Sequence, residues 1–428
     1  MSDVCYELPA HHGTMASLVE ATMMGLDAGK CRHGKNGHAL RVLLEQAGPA
    51  WLSEERGRRL LGKFLELTAP GEDLMGTAND VLDNPESAAS HYRFFKLRKK
   101  SGGFRDIEAP ENSLKRIQRL GLDRWWYAKR RPAPCVHGFV PGKGTLTNAG
   151  DHVSDGVFGK GKVLIKTDFS GFFPSITRAG VMDALLDDLG WWYCVGGTAR
   201  KPPRILVQIL LSLEPQASEK MGLTENVSVD GIRPMTTLAG WLVLSEICLD
   251  HVMLRLCCLD ERLCQGSPCS PALANVFLRR FNGYVLSALE DKLGKDEFTY
   301  TVYADDACTT FADDSTSDVK VQKTLSILLK TMYTYPDICP NQGKIGVFRH
   351  GRSQKVTGIT ITDKLSISKK DRDKVRARLH NAATGREPLT DEERMRIIGQ
   401  RAWMRGVDAA GWDSRCEKEF QEVIGDVR

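Results

Sequence analysis

The segment Thr299-Tyr-Thr-Val-Tyr-Ala-Asp-Asp-Ala-Cys-Thr-Thr-Phe311 sets two short β-prone runs against each other at adjacent carboxylates, Asp305 and Asp306. Tyr300, Val302 and Ala304 alternate with Thr301, Tyr303 and Asp305, which predicts a half-buried hairpin with acids at its bend. Two neighbouring carboxylates repel, so the pair is most easily held if a proton or a divalent cation neutralises it. The hairpin therefore points to a metal site, against the plainer alternative of a solvated turn. Phe311-Ala-Asp-Asp-Ser315 repeats the triplet, but it runs into Ser-Thr-Ser-Asp with no following apolar strand and reads as a turn or helix cap.

A chain of 428 residues, 42% apolar and 26% charged, is globular material sufficient for two or three sub-domains. There is no apolar run of about 18 residues and no charged-apolar-small leader at Met1, so neither a membrane partner nor secretion is expected, and a cytoplasmic location follows. Twelve cysteines lack paired Cys-x-x-Cys spacing and read as reduced, mostly buried thiols. Charge is concentrated: His91 to Arg131 holds thirteen Lys or Arg against four acids, interleaved with Phe94, Phe95, Phe104, Trp125, Trp126 and Tyr127. Such a segment suits a phosphate-backbone groove with rings for stacking. Ser366 to Arg378 is a second cluster, with six basic residues and two acids.

Residues 1 to about 85 read as helical, with apolar patches at Met15–Met24, Ala39–Gln46 and Leu60–Leu67 and no catalytic signature. From Tyr92 the texture changes. Phe94-Phe-Lys-Leu and Phe104-Arg-Asp-Ile-Glu-Ala-Pro flank Lys99-Lys-Ser-Gly-Gly, which predicts a basic hairpin about a Gly-Gly turn. Ser113 to Leu120 reads as a capped helix. Val163-Leu-Ile-Lys-Thr-Asp168 is an apolar strand ending in an acid. Apolar helices over 205–211 and 239–247 follow, separated by a polar segment. Leu263-Cys-Gln-Gly-Ser-Pro-Cys-Ser-Pro271 is a loop opening a helix, whose first N–H groups can face an anion. A helix near Val319–Thr331, a strand pair near Lys344–Ile361 and a basic helix from Lys369 to Ala383 complete the chain.

Asp168, then a Gln-Gly loop, then Asp305 and Asp306 make up the inventory of two-metal phosphoryl transfer, in which carboxylates hold two cations about 3.5–4 Å apart. Mg²⁺ prefers hard oxygen ligands and keeps several waters, so two or three acids suffice.

In this order the chain resembles a reverse transcriptase from about Tyr92 to its end. Lys99-Lys-Ser-Gly-Gly-Phe-Arg-Asp-Ile-Glu-Ala-Pro resembles that family's fingers hairpin, Lys166-Thr-Asp-Phe-Ser-Gly-Phe-Phe-Pro-Ser-Ile its first catalytic motif, Gln265-Gly-Ser-Pro-Cys-Ser-Pro its template and nucleotide loop, and Tyr303-Ala-Asp-Asp its catalytic hairpin. Asn148-Ala-Gly-Asp-His152 and Val356-Thr-Gly358 are similar to elements of bacterial retron reverse transcriptases. The chain departs from the pattern in three places. Cys264 replaces a usual proline, 97 residues separate Asp168 from Gln265, implying an insertion about 196–234, and the first 85 residues exceed what such an enzyme needs.

The resemblance implies a mixed α/β chain of the α+β kind, a right-hand polymerase: helical extension 1–85, fingers 86–162, antiparallel palm 163–353, and 354–428 leading into a small helical thumb. It implies that Asp168, Asp305 and Asp306, with the Phe169 carbonyl, bind two Mg²⁺ ions. Lys99, Lys100 and Arg105 would clamp the dNTP triphosphate, Phe173 would reject a ribose 2′-OH, Gln265 would touch nucleotide or template, and Lys344 would serve the pyrophosphate. Asn148, His152, Val356, Thr357, Gly358, Lys369, Lys370, Arg372 and Arg376 would meet RNA, with Asn148 and His152 alternatively forming a buried turn network. The implied partners are a cognate structured noncoding RNA that is both template and partner, with priming from an RNA 2′-OH, its cDNA product, dNTPs, and a separate effector protein in anti-phage defence. Two other readings stand beside this one. The first is a solitary defence or abortive-infection reverse transcriptase making protein-primed or repeat cDNA, and the second is an RNA-binding scaffold with a silent polymerase.

Overall fold

A computed structural model of the chain describes residues 54–84, 86–99, 102–126, 132–153, 161–194, 202–220, 223, 237–408, 412 and 414–425. The expected helices at Met15–Met24 and Ala39–Gln46, the residues Lys100 and Tyr127, and about half of the expected insertion lie outside these. In chain order the strands are β1 (Tyr92–Arg98), β2 (Phe104–Pro110), β3 (Lys162–Asp168), β4 (Cys258–Leu259), β5 (Arg262–Leu263), β6 (Phe298–Tyr303), β7 (Asp306–Ala312), β8 (Gly346–Phe348), β9 (Lys355–Val356) and β10 (Ile359–Thr360). The chain folds as two compact units whose segments interleave, so the expected palm segment 163–353 contributes to both.

The first unit takes its described residues from the segments up to Pro132, Gly171–Phe281 and Pro336–Ile338. Its centre is the helix Thr237–Cys257, buried almost continuously from Trp241 onward, as a helix apolar on every side must be. The helix Glu54–Thr68 turns Leu60, Leu61, Phe64 and Leu65 inward and packs against it. Against the same helix lies Arg204–Leu213, which buries Leu206, Val207, Ile209 and Leu210. Arg56 bonds Glu214 at 3.1 Å. Helices from the expected extension and the expected insertion thus pack together. The helix expected from Ser113 runs over Asn112–Leu120 instead, with Glu111 before it and no side-chain cap.

β1 and β2 pair antiparallel from Tyr92 opposite Pro110 to Arg98 opposite Phe104, and Gly102 and Gly103 carry the turn at φ 90° and 76°. The expected basic hairpin is therefore present. Both of its faces reach solvent near the tip, where Phe94, Leu97 and Phe104 are each more than half exposed.

The second unit comprises Ala133–Ser170, Asn282–Tyr335 and Cys339–Arg428. Its four-stranded antiparallel sheet has the order β6-β7-β3-β8. The expected strand pair near 344–361 is divided: β8 joins this sheet beside β3, while β9 and β10 form a separate hairpin turning at Thr357 and Gly358. The β6–β7 hairpin is buried on both faces rather than one, because Tyr300, Thr301 and Val302 are all covered. The Tyr300 hydroxyl donates to Asn282 on one side, at 3.0 Å. On the other, the His152 ring bridges the hydroxyls of Thr301 and Thr310 at 2.7 and 2.8 Å.

Burial, then the charges of Lys162 and His137, push the His152 imidazole down to about 3. The folded protein keeps this ring neutral, whereas the unfolded chain takes up a proton below about pH 6.5. Its contribution is therefore fully present above about pH 6.5 and is lost progressively as pH falls toward 3. Denaturant unfolding at pH 7 and pH 5 is expected to show a loss of about 2 kcal/mol from this group. His152→Gln should flatten that slope; an unchanged slope would remove His152 as its source.

The helices Lys369–Ala383, Asp391–Val407 and Ser414–Val423 enclose a small core of Val375, Leu379, Ile397, Met404, Trp412 and Phe420. The first has the expected bounds because Ser368 accepts the Asp371 N–H at its start. Thr390 and Glu393 form a capping box on the second.

Candidate active site

Strand register brings the acids together. β3 and β7 pair so that Asp168 lies directly opposite Asp306, and β6 pairs with β7 so that Tyr303 faces Asp306 across a two-residue turn of Ala304 and Asp305. Main-chain bonds hold this end of the sheet. The Phe169 N–H donates to the Asp305 carbonyl at 3.1 Å, and the Asn341 N–H donates to that of Asp168 at 2.8 Å. Burial first, then the charges of Asp168 and Asp306, hold the Asp305 carboxyl above the usual carboxylate range. Asp306 is raised first by burial and further by Asp168, against the opposing charge of Lys166.

Asp168 is 3% exposed at its side chain, and Lys344 donates to its Oδ2 at 2.7 Å. Its Oδ1 is buried without a hydrogen-bond partner. Among the described residues no three acidic, His or Cys side chains stand in metal-holding geometry, the Lys344 ammonium being the cation at Asp168. The donor set nevertheless fits a hard divalent cation, with three carboxylates, one buried oxygen lacking a partner, and Asp305 and Asp306 raised first by burial and then by neighbouring acids.

A second element fixes the turn, and its role is invisible in the sequence. Val136 runs beside Val302, the His137 N–H donates to the Val302 carbonyl and the Val302 N–H to that of Cys135, each at 2.8 Å. This lays Gly138 against the turn that bears Asp305: a Cβ there would meet the Ala304 nitrogen at 2.5 Å and the Tyr303 carbonyl carbon at 3.1 Å. Phe139 stacks on Tyr303 with ring centroids 6.4 Å apart. Ala304 itself sits at φ 56°, a left-handed conformation costing an L-residue about 1–2 kcal/mol. The neighbouring loop holds the turn in that conformation.

Several residues expected to meet RNA are instead structural. Asn148, His152 and Val356 are buried, at 1%, 0% and 0% exposure, so none of them can touch a strand outside. His152 forms the buried network with Thr301 and Thr310, whereas the Asn148 Oδ1 is buried without a hydrogen-bond partner. Val356 lies in a core with Ala149, Leu164 and Ile359, and the Thr357 hydroxyl donates to the Thr145 carbonyl at 3.1 Å, so the two elements carrying the retron likeness pack on each other. Gly358 is exposed at the tip of that hairpin. Lys369 and Lys370 are exposed, but the expected single basic face is divided. Arg372 pairs with Asp408 at 3.8 Å and Arg376 donates to the Cys416 sulfur at 3.4 Å, because both sit toward the helix's packed side. The repeated triplet is a turn, in which the Asp314 carboxylate accepts the Thr316 N–H at 2.7 Å ahead of the helix Ser317–Thr334, whose N-cap Thr316 makes no side-chain cap bond.

In the first unit, Lys99 and Arg105 stand on the basic hairpin. The Gln265 loop leaves β5 and enters the helix Ser270–Leu293. Cys264 is buried there, its thiol pushed up to about 12 by burial. Gln265 is half-buried, and its carbonyl accepts the Glu108 N–H at 2.9 Å. Phe173 is half-buried on the short helix Phe172–Ser175, its ring 5.2 Å from that of Phe172. Cys135, Cys248, Cys257, Cys258, Cys264, Cys269, Cys308 and Cys416 are buried, and Cys339 is exposed. No helix among the described residues is long and apolar enough to cross a membrane.

No protein-family model matches the chain. Among curated proteins it is similar to the retron Mx65 reverse transcriptase of Myxococcus xanthus, 31% identical over 358 residues, covering 83% of this chain and 69% of that protein. It is also similar to the retron Mx162 reverse transcriptase of the same organism, at 29% identity over 343 residues, covering 75% of this chain and 59% of that one. Among solved structures, telomerase from Candida albicans in complex with a fragment of telomeric RNA is a distant likeness. Its TM-score is 0.37 at 12% identity, covering 78% of this chain and 61% of that one.

Proposed function

Because this chain belongs to the retron reverse transcriptases, which are RNA-directed DNA polymerases, we propose that it copies a cognate structured noncoding RNA into DNA with two Mg²⁺ ions held by Asp168, Asp305 and Asp306. The observation carrying this is the strand register that faces Asp168 with Asp306, beside a turn bearing Asp305. When bound, the ions would lower the pKa of the attacking hydroxyl and neutralise the triphosphate and leaving oxygen. The three carboxylates and the Phe169 carbonyl supply the oxygen ligands. Lys344, now on Asp168, supplies the balancing positive charge and carries a proton toward the departing pyrophosphate. Lys99, Lys100 and Arg105 grip the triphosphate, the Phe173 ring leaves no space for a ribose 2′-OH, and Gln265 positions the templating pair. Lys369 and Lys370 follow the RNA backbone through its phosphates.

The RNA primes from one of its own 2′-OH groups, and the product acts in anti-phage defence with a separate effector. The test uses the purified protein with the nucleic acid that accompanies it. DNA made only with Mg²⁺ and dNTPs, and freed from RNA by a 2′,5′-debranching enzyme, is the expected product. DNA attached to a tyrosine, or free repeat DNA, would favour the solitary-defence reading. RNA binding without any DNA synthesis would favour the silent scaffold.

A further inference from the structure

Glu108 is one of only two acids in the hairpin segment 92–110, an awkward charge for an element that grips a triphosphate. The other, Asp106, lies exposed opposite Lys96. Glu108 is handled differently. Its carboxylate is 12% exposed and takes two bonds from the Arg262 guanidinium, Nη2 to Oε1 at 3.0 Å and Nη1 to Oε2 at 3.2 Å. That bidentate geometry is the strongest and most directional an acid and a base can form. Arg262 belongs to β5, three residues before Gln265, and β5 is itself fixed: the Leu263 N–H donates to the Ile176 carbonyl at 3.0 Å.

Two further ties run the same way. The Glu108 N–H donates to the Gln265 carbonyl, and Gly266 lies so close behind that a Cβ on it would meet the Glu108 oxygen at 2.8 Å. Gln118, fully buried, donates to the Tyr92 hydroxyl at the hairpin root and accepts from the Ser267 hydroxyl of the loop, at 3.2 and 2.8 Å. The root of the hairpin therefore cannot swing without the loop unless the clasp breaks.

We propose that Glu108 and Arg262 are positioning residues that make the basic hairpin and the Gln265 loop move as one body, coupling triphosphate capture to the check of base pairing. The inference rests on the polymerase reading above. A mismatched nucleotide sits badly at Gln265 and, through the clasp, denies itself the hairpin's grip. A loosened clasp lets the hairpin close on any triphosphate, so selectivity falls as well as affinity.

The experiment takes the full chain with its RNA and measures single-nucleotide addition for matched and mismatched dNTPs in Glu108→Gln, Arg262→Met and the exchanged pair Glu108→Arg with Arg262→Glu. Each single variant is expected to raise the KM for the matched dNTP roughly tenfold and to reduce matched-over-mismatched discrimination by a similar factor, with the exchange restoring much of both. Hydrogen exchange on the protein without nucleotide should show peptides across 104–110 and 263–269 losing protection together in either single variant. Either variant alone suffices should the other fail to fold. Equal losses for matched and mismatched nucleotides, or loss of protection in only one of the two segments, would overturn the proposal. Joint loss of protection in a protein that makes no DNA would leave the clasp in place and overturn the polymerase reading instead.

Discussion

Asp305→Asn and Asp306→Asn are each expected to lower RNA-templated DNA synthesis by roughly 10²–10³-fold while leaving the protein as stable as before, or more stable. Both halves follow from one arrangement. Asp168 and Asp306 are held face to face by strand register, with Asp305 at the turn beside them. Asp305 is raised first by burial and then by its neighbours' charges, so the folded state disfavours its ionised form at neutral pH. An amide removes that penalty and also removes an oxygen ligand. The checks are primer extension on the RNA template and thermal unfolding of the same preparations. Synthesis retained in the doubly substituted protein would end the catalytic reading, and a sharp fall in unfolding temperature would mean that the acids are structural.

Gly138→Ala should be the most damaging change that touches no carboxylate. The added carbon would stand 2.5 Å from the Ala304 nitrogen, 3.1 Å from the Tyr303 carbonyl carbon and 3.2 Å from the Tyr303 Cα. All three are backbone atoms, with no flexible side chain to move aside, so either the turn or the loop must shift. Overpacking of this kind costs about 1–3 kcal/mol. A shift of about 1 Å at a reacting centre can cost about 10²-fold in rate. Single-turnover incorporation and unfolding temperature would both register the change. Gly150→Ala, on the helix Thr145–Asp151 with open space at its Cβ, is the control and should be neutral or slightly stabilising. Full activity in Gly138→Ala would show that the turn does not depend on this contact.

What could be read in advance follows the range of the interactions involved. The basic hairpin about Gly102 and Gly103, the strand ending at Asp168 and the helix Lys369–Ala383 depend on residues near in sequence, and all three are present. Asp305 and Asp306 were legible as a pair because they are adjacent. Their alignment with Asp168 depends on the pairing of β3 with β7, which no local pattern fixes. His152 was open to two readings because an imidazole can contact RNA or bridge buried hydroxyls. Only the closure of Thr301 and Thr310 around it decides between them. Glu108 and Arg262, 154 residues apart, look like ordinary surface charges until the fold brings them together. Gly138 was visible as a letter in His137-Gly-Phe-Val, but the backbone it leaves room for lies far along the chain.

The helix Glu54–Thr68 and the helix Arg204–Leu213 lie on either side of the strand ending at Asp168 in sequence, yet they share one apolar interface and the Arg56–Glu214 bond. Neither is complete without the other, since removing either would bare leucines that the other now covers. They are best regarded as one packing unit assembled from two points of the chain, to be kept or trimmed together. A minimal version of this enzyme cut at only one of those points would keep half of an interface and gain a sticky surface.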